Sequence, residues 1–319
     1  MIYYPISLKI NAIQEGEDIM QATRSLSEYK KRSTLTATTI FLLPVFFFIL
    51  IFIIYPIIDS FWLSMHEWNG ITSGKAFVGL ENWKTLFGDK IFFKAFLNNM
   101  IIVVLSIAVQ LPIAMAIAFL LDTGGKKLNF LKMIYFLPML MSSVAVGFLF
   151  KYTYDPQFGL ISAVDTMLGG QGMVDVLGDP HRAIFGVIAV ICWQFIPFYM
   201  VYFLAALSSL PVEIYEASII DGASYGQYFW RVALPSMKGT IKSAAVLSLV
   251  GSLKYFDLIY VMTQGGPDGA TELMATYMYK NAFTIGKMGY GATVAAGMFI
   301  IITVISLVTL RVINGKEEA

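Results

Sequence analysis

The chain has 319 residues, of which 57% are hydrophobic, 15% aromatic and only 13% charged, with a formal net charge of +1. Soluble domains carry about 25% charged residues, so this composition excludes an ordinary soluble protein and points to a lipid bilayer. A phosphate-binding surface needs a marked excess of Lys and Arg, so nucleic acid is excluded as a partner.

Residues 1–33 are polar and contain no apolar run of membrane length. They read as a cytoplasmic N-terminal extension, compatible with a short interfacial helix or with disorder. Residues 34–316 read as the transmembrane domain. A hydrocarbon core about 30 Å thick takes about 20 apolar residues per helix. Six runs meet that length, at residues 36–63, 97–121, 129–151, 183–205, 240–262 and 290–312. Alternating segments of about 10 residues, the mark of a barrel, are missing. The first run is too long and too far along the chain for a cleaved signal peptide. The expected fold is therefore all-α, an integral membrane protein with six transmembrane helices.

Basic residues flanking the spans set the orientation. Lys30, Lys31 and Arg32 precede the first span, Lys126, Lys127 and Lys132 surround the second connection, and Arg231, Lys238 and Lys242 follow the fourth span. Arg311 and Lys316 follow the last, which puts both termini in the cytoplasm with 13 basic residues inside against 8 outside. The external connection 152–182 agrees, with Asp155, Asp165, Asp175 and Asp179 against Arg182. His66 and His181 fall in external connections without metal-ligand spacing. The single cysteine, Cys192, excludes a disulfide within the chain and reads as core packing.

Within the spans, Pro112, Pro138 and Pro197 should interrupt helices two, three and four, freeing carbonyls that neighbours or pathway water can satisfy. Polar residues in a span mark pathways by default. Those that stand out are Gln110, Gln194 beside Trp193, and Ser252, Lys254 and Asp257. A charge near mid-bilayer costs about 2.5 to 3.5 kcal/mol even on a lenient scale, so Lys254 should face protein or water. Asp257, three residues on, would share its helical face and could neutralise it.

Between spans four and five the apolar pattern is broken by a polar stretch, about residues 206–239, that contains "EIYEASIIDGASYGQYFWRVALP" (213–235). Pro211 suits the first turn of a helix and Glu213 its positive end. Gly222 can take positive φ and stop that helix, and Pro235 blocks an unbroken run into span five. The result is two short helices whose apolar residues call for a groove on another protein or on the chain's own membrane domain. Further on, "TQGGPDGATE" (263–272) reads as a turn.

The spacing Glu216-Ala217-Ser218, three residues, Gly222, nine residues, Val232-Ala233-Leu234-Pro235 resembles the EAA loop of ABC-importer permeases. Ser218 stands where that family has a second Ala, and Val232 where it has Ile. "FVGLENWKTLF" (77–87), "NNMIIV" (98–103) and "FDLIYVMTQGGPDGATELMATYMYKNAF" (256–283) are similar to the sugar-importing branch, that of the maltose-type permease. The resemblance covers residues 40–312 and excludes the N-terminal extension. It implies the type I ABC importer permease fold in a bacterial or archaeal inner membrane. It also implies a second permease subunit, an ATPase dimer that holds ATP and Mg, and an extracytoplasmic sugar-binding protein, with an oligosaccharide as substrate.

The same resemblance makes Glu216, Ala217, Ser218, Asp221, Gly222, Leu234 and Pro235 a coupling element seated in the ATPase. It carries sugar contact over to Gln194, Phe195 and Phe198 on span four and to Ser252, Leu253, Lys254 and Tyr255 on span five. No cofactor is expected on this chain, which contains no G-x-x-x-x-G-K-[ST] phosphate loop. An ion-driven secondary transporter would show repeated halves, and a membrane-embedded enzyme would show a polar catalytic cluster. Neither feature is evident in the sequence.

Overall fold

The computed structural model describes residues 38–123 and 128–314. The extension 1–33 lies outside the described residues, as do Lys30, Lys31, Arg32, Lys126, Lys127 and Lys316, on which the orientation leans. Two compact units divide the chain, one up to Asp59 and one from Ser60 onward.

The first unit contributes the start of a membrane-length helix, Thr38–Leu63. A π segment at Leu50–Ile54 ends two residues before Pro56. The second unit repeats this arrangement, with π segments at Ser106–Gln110 before Pro112 and at Phe229–Ala233 before Pro235. Proline lacks an N–H, and its ring crowds the carbonyl four residues back. One widened turn takes up both defects; the helices at Pro56 and Pro112 continue, while the one at Pro235 stops at Ser236 before Lys238–Leu253 begins.

In the second unit, His66–Glu67 and Ala76–Phe77 pair antiparallel, with His66 opposite Phe77. The following helix, Glu81–Gly88, explains the "ENW" motif in physical terms. Asn82 Nδ2 donates to the carbonyls of Ser64 and His66, and the Trp83 indole N–H donates to Ser64 Oγ. Gly289 admits the hairpin at close range, since a Cβ built there would lie 1.9 Å from the His66 carbonyl oxygen.

Among the described residues, four helices are long and apolar enough to cross a membrane: Thr38–Leu63, Lys90–Thr123, Ala183–Ser208 and Met288–Val312. The other two expected spans are not continuous. The third is a pair, Phe130–Leu140 and Ser143–Thr153, bent by 93°. Pro138 lies two residues before the first helix ends, Met141 is extended, and Ser142 Oγ caps the second helix by accepting from the Val144 N–H. The fifth ends at Leu253 as Lys238–Leu253 and resumes as Asp257–Met262. Pro197, in contrast, sits inside the unbroken helix Ala183–Ser208.

Three apolar clusters hold this unit together. Leu111, Met115 and Leu121 of the Lys90–Thr123 helix pack with Met200, Phe203, Tyr228 and Phe229. A second cluster joins Ile184, Val187, Ile191 and Cys192 to Leu258 and Met262. A third joins Leu86, Phe92 and Val103 to Leu253, Met274 and Val294. The turn at 263–272 is a turn as expected, but a packed one. Thr263 and Thr271 hydroxyls meet at 2.6 Å, and the buried Glu272 carboxylate takes Thr276 Oγ1 and Lys280 Nζ at 2.5 Å each.

Candidate functional site

Five segments of the second unit enclose a cavity of about 380 Å³: the π segment of the Lys90–Thr123 helix, the bend at Met139–Ser143, the middle of Ala183–Ser208, the end of Lys238–Leu253 and the break that follows. Six of the eight path residues expected from sequence line it, namely Phe195, Phe198, Ser252, Lys254, Tyr255 and Asp257. Leu253 does not; it is fully buried in the cluster with Leu86 and Val294. Gln194 does not either. Its Nε2 lies 3.4 Å from the Met141 carbonyl and 3.5 Å from Ser143 Oγ, where it serves the bend in span three.

Lys254 and Asp257 do not share a helical face. The helix ends between them, with Phe256 at φ −142 and ψ −64, so three-residue spacing no longer sets their separation. Both are exposed on the cavity wall, and no ion pair joins them. The expected internal pair is therefore corrected: each charge faces the cavity by itself.

Aromatic and hydroxyl-bearing residues are both prominent in the lining. Phe195 meets Tyr255 edge to face at 5.7 Å, and Phe198 stacks on Tyr202 at 6.5 Å. The buried Tyr255 hydroxyl has no hydrogen-bond partner. Ser248 Oγ, also buried, faces the Tyr199 hydroxyl without a well-formed bond. A buried polar atom left without a partner costs about 1 to 3 kcal/mol. Gln110, Ser143, Tyr199 and Ser248 were not carried forward as path residues. Ser248 could have been found, since it lies one helical turn before Ser252 on the same face.

The second assembly is the polar stretch after span four. Its first helix is Val212–Ile220, preceded by Pro211 and carrying Glu213 in the first turn. Gly222, at φ +78, ends it as the sequence predicts. The Gly222 N–H reaches the Ile219 carbonyl at 2.9 Å and the Ala223 N–H reaches the Ser218 carbonyl at 3.0 Å, the paired bonds of a Schellman motif. Ser224 and Gln227 form a capping box that starts the second helical piece, residues 225–236.

Side chains sort by face. Ser218 is buried and donates to the Tyr215 carbonyl at 2.6 Å, so it faces this chain rather than outward. Glu213, Glu216, Ala217, Asp221, Gly222 and Pro235 are exposed, Leu234 is half-buried, and Ile220 is 85% exposed. On the inner face Tyr225 stacks on Phe119 at 4.6 Å, Phe229 meets Phe119 at 4.0 Å, and Tyr215 meets Tyr228 at 5.0 Å. The Tyr225 hydroxyl donates to Asp122 at 3.5 Å; burial first, and then the Asp122 charge, push this phenol well above its ordinary pKa.

The profile of a family described as "Binding-protein-dependent transport system inner membrane component" matches residues 110–316. Over 283 residues the chain is 33% identical to the probable ABC transporter permease protein YurN of Bacillus subtilis, covering 88% of this chain and 97% of YurN. It is 31% identical to the multiple sugar-binding transport system permease protein MsmF of Streptococcus mutans, covering 84% of this chain and 91% of MsmF. Among solved structures, a chain of a bacterial alginate ABC transporter in complex with an alginate pentasaccharide-bound periplasmic protein superposes with a TM-score of 0.74. It shares 25% identity, over 88% of this chain and 93% of that one.

Proposed function

This chain belongs to the binding-protein-dependent transport system inner membrane components, and from that premise we propose that it is one membrane subunit of an ATP-driven oligosaccharide importer. It is a transport subunit rather than an enzyme. In this reading the two broken spans each count as one crossing, giving six, with both termini and residues 1–33 in the cytoplasm. Residues 34–316 form the permease domain, and residues 206–239 are its coupling loop. A second permease subunit completes the path. An extracytoplasmic binding protein delivers the sugar, in line with the alginate transporter and its periplasmic protein. ATP and Mg belong to a dimeric partner ATPase.

The observation that carries the reading is the two-faced knuckle at 211–236. Its Tyr215, Ser218, Tyr228 and Phe229 are packed inward, while Glu213, Glu216, Ala217 and Ile220 stand outward at helical spacing. Such an apolar face with a carboxylate rim fits a groove that has basic or backbone donors. Closure of the ATPase dimer would push this knuckle and re-aim the path. Substrate would pass the cavity at Phe195, Phe198, Ser252, Tyr255, Lys254 and Asp257, where rings stack on sugar faces and hydroxyls bind sugar hydroxyls.

Co-purification from native membranes tests the proposal. An ATPase subunit is expected to accompany the tagged wild-type chain and to be lost from Glu216→Lys, whose reversed charge meets the same donors, while the variant still inserts. An ATPase retained equally by both chains would remove the knuckle from the coupling role. Its consistent absence from the wild type would remove the importer reading altogether.

A further inference from the structure

The break in span five leaves a specific debt of hydrogen bonds. The last carbonyls of a helix have no partner within it, and here Ser252 and Leu253 are buried, at 3% and 0% exposure, where water cannot serve them. The chain then runs out through the turn at 263–272 and enters a new helix at Met274, whose first N–H is equally unserved by its own helix.

One side chain meets both ends. Asn99, on the Lys90–Thr123 helix and fully buried, donates from Nδ2 to the Ser252 carbonyl at 3.2 Å and the Leu253 carbonyl at 3.5 Å. Its Oδ1 accepts the Met274 N–H at 3.0 Å. The residues beside it continue the grip, since Asn98 donates to the Gly269 and Glu272 carbonyls and Lys94 to the Asp268 carbonyl. Only an amide of this length offers donors to two carbonyls and an acceptor to an N–H at once. Aspartate keeps the shape and the acceptor but turns an anion toward two carbonyl oxygens.

Between the two ends that Asn99 joins lies the segment that presents Lys254, Tyr255 and Asp257 to the cavity, although Asn99 itself does not line it. We infer that Asn99 is a positioning residue of the transport path: it clamps the break in span five and thereby sets where Lys254 and its neighbours stand. This deepens the reading of the cavity as the translocation path and rests on it.

The test uses the complete transporter, reconstituted with its ATPase, partner permease and binding protein. Cys192 is replaced by Ala, so that Lys254→Cys becomes the single thiol of this chain, and labelling is read on this chain after the subunits are separated. A small hydrophilic methanethiosulfonate reagent then reports its accessibility, in the parent and with Asn99→Asp or the milder Asn99→Ser added. Leu121→Ala, in a different core cluster, controls for general loosening. Both Asn99 variants should change the labelling rate by about fivefold or more, as expected when buried carbonyls lose their donor, while Leu121→Ala leaves it unchanged.

A second arm measures uptake of maltotriose and of an alginate trisaccharide with Lys254 intact, and here Asn99→Asp should lower the maximal rate while binding-protein affinity stays the same. A labelling rate unmoved by both Asn99 variants overturns the clamp, whatever uptake does. If labelling shifts and uptake does not, the clamp stands and the assignment of this cavity to the sugar path falls.

Discussion

Gly222 and Asp89 show how much a single residue can fix. At Gly222, φ is +78 and a Cβ built there meets nothing within 4 Å. Any cost of Gly222→Ala is therefore conformational, about 1 to 2 kcal/mol for a left-handed residue that is not glycine. Melting in detergent should drop by only a few degrees, while ATP hydrolysed per sugar imported rises, because the knuckle relaxes out of shape. An unchanged ratio would show that this turn does not transmit force. Asp89 caps the Lys90–Thr123 helix through Oδ1 and accepts the hydroxyls of Tyr277 and Tyr290 at Oδ2, each at 2.5 Å. Burial raises its pKa, but these two hydroxyls and the N–H groups of Ile91 and Phe92 outweigh it and hold the carboxyl below the ordinary 3.8. A depressed folded pKa adds stability above the unfolded value that is lost as pH falls through the folded one. Tyr277, pushed up to about 12 by burial and then by Asp89, acts with the opposite sign. Its contribution is complete below the unfolded value of 10.0 and declines as pH rises through about 12. Melting curves of wild type and Asp89→Asn should therefore converge below about pH 4 and differ most near neutrality; a constant gap down to acid pH would contradict the assigned bonds.

At the scale of an element, the aromatic clasp on Phe119 ties the knuckle to the end of the Lys90–Thr123 helix. Phe119→Ala removes the ring that meets both Tyr225 and Phe229. The half-buried ring should cost about 2 kcal/mol, below the 3 to 5 of a fully buried Phe→Ala, and leave the outer face able to bind the ATPase. Uptake should then fall more than ATPase co-purification does. Parallel loss of both would mean the clasp only holds the fold. The limits of this knuckle were legible because Pro211, Gly222 and Pro235 act on their immediate neighbours. The interruption of span three was expected from Pro138, and it falls just beyond it, at 141–142. The break at 254–256 was not legible, because hydropathy does not register a backbone that leaves the helix. What makes the breaks tolerable is distant in sequence: Gln194 at one and Asn99 at the other supply donors to the freed carbonyls. The same blindness made Lys254 and Asp257 partners, since that reading assumed an unbroken helix, whereas Leu253 came with the family resemblance and turns into the core instead.

Across the whole second unit, the Lys90–Thr123 helix touches both candidate sites. Its first half holds the broken span five through Asn98 and Asn99, and its last turns hold the knuckle through Phe119 and Asp122. In the proposed importer, displacement of the knuckle would reach the cavity through this one helix. The cavity's chemistry then depends on two opposite charges that do not neutralise each other. If the cavity is the sugar path as proposed, Lys254 would attract an acidic saccharide and Asp257 would repel it, and a partly screened pair a few ångströms apart is worth about 1 to 4 kcal/mol. Lys254→Met should therefore lower uptake of an alginate trisaccharide relative to maltotriose by about tenfold, the equivalent of about 1.4 kcal/mol, and Asp257→Asn should shift the same ratio upward. The opposite signs matter, because general damage to the path would depress both sugars in both variants. Purified transporter in proteoliposomes, fed each sugar on a binding protein saturated with it, separates this effect from selection before delivery. Ratios that stay at the wild-type value in both variants would make the two charges structural and leave discrimination entirely to the binding protein.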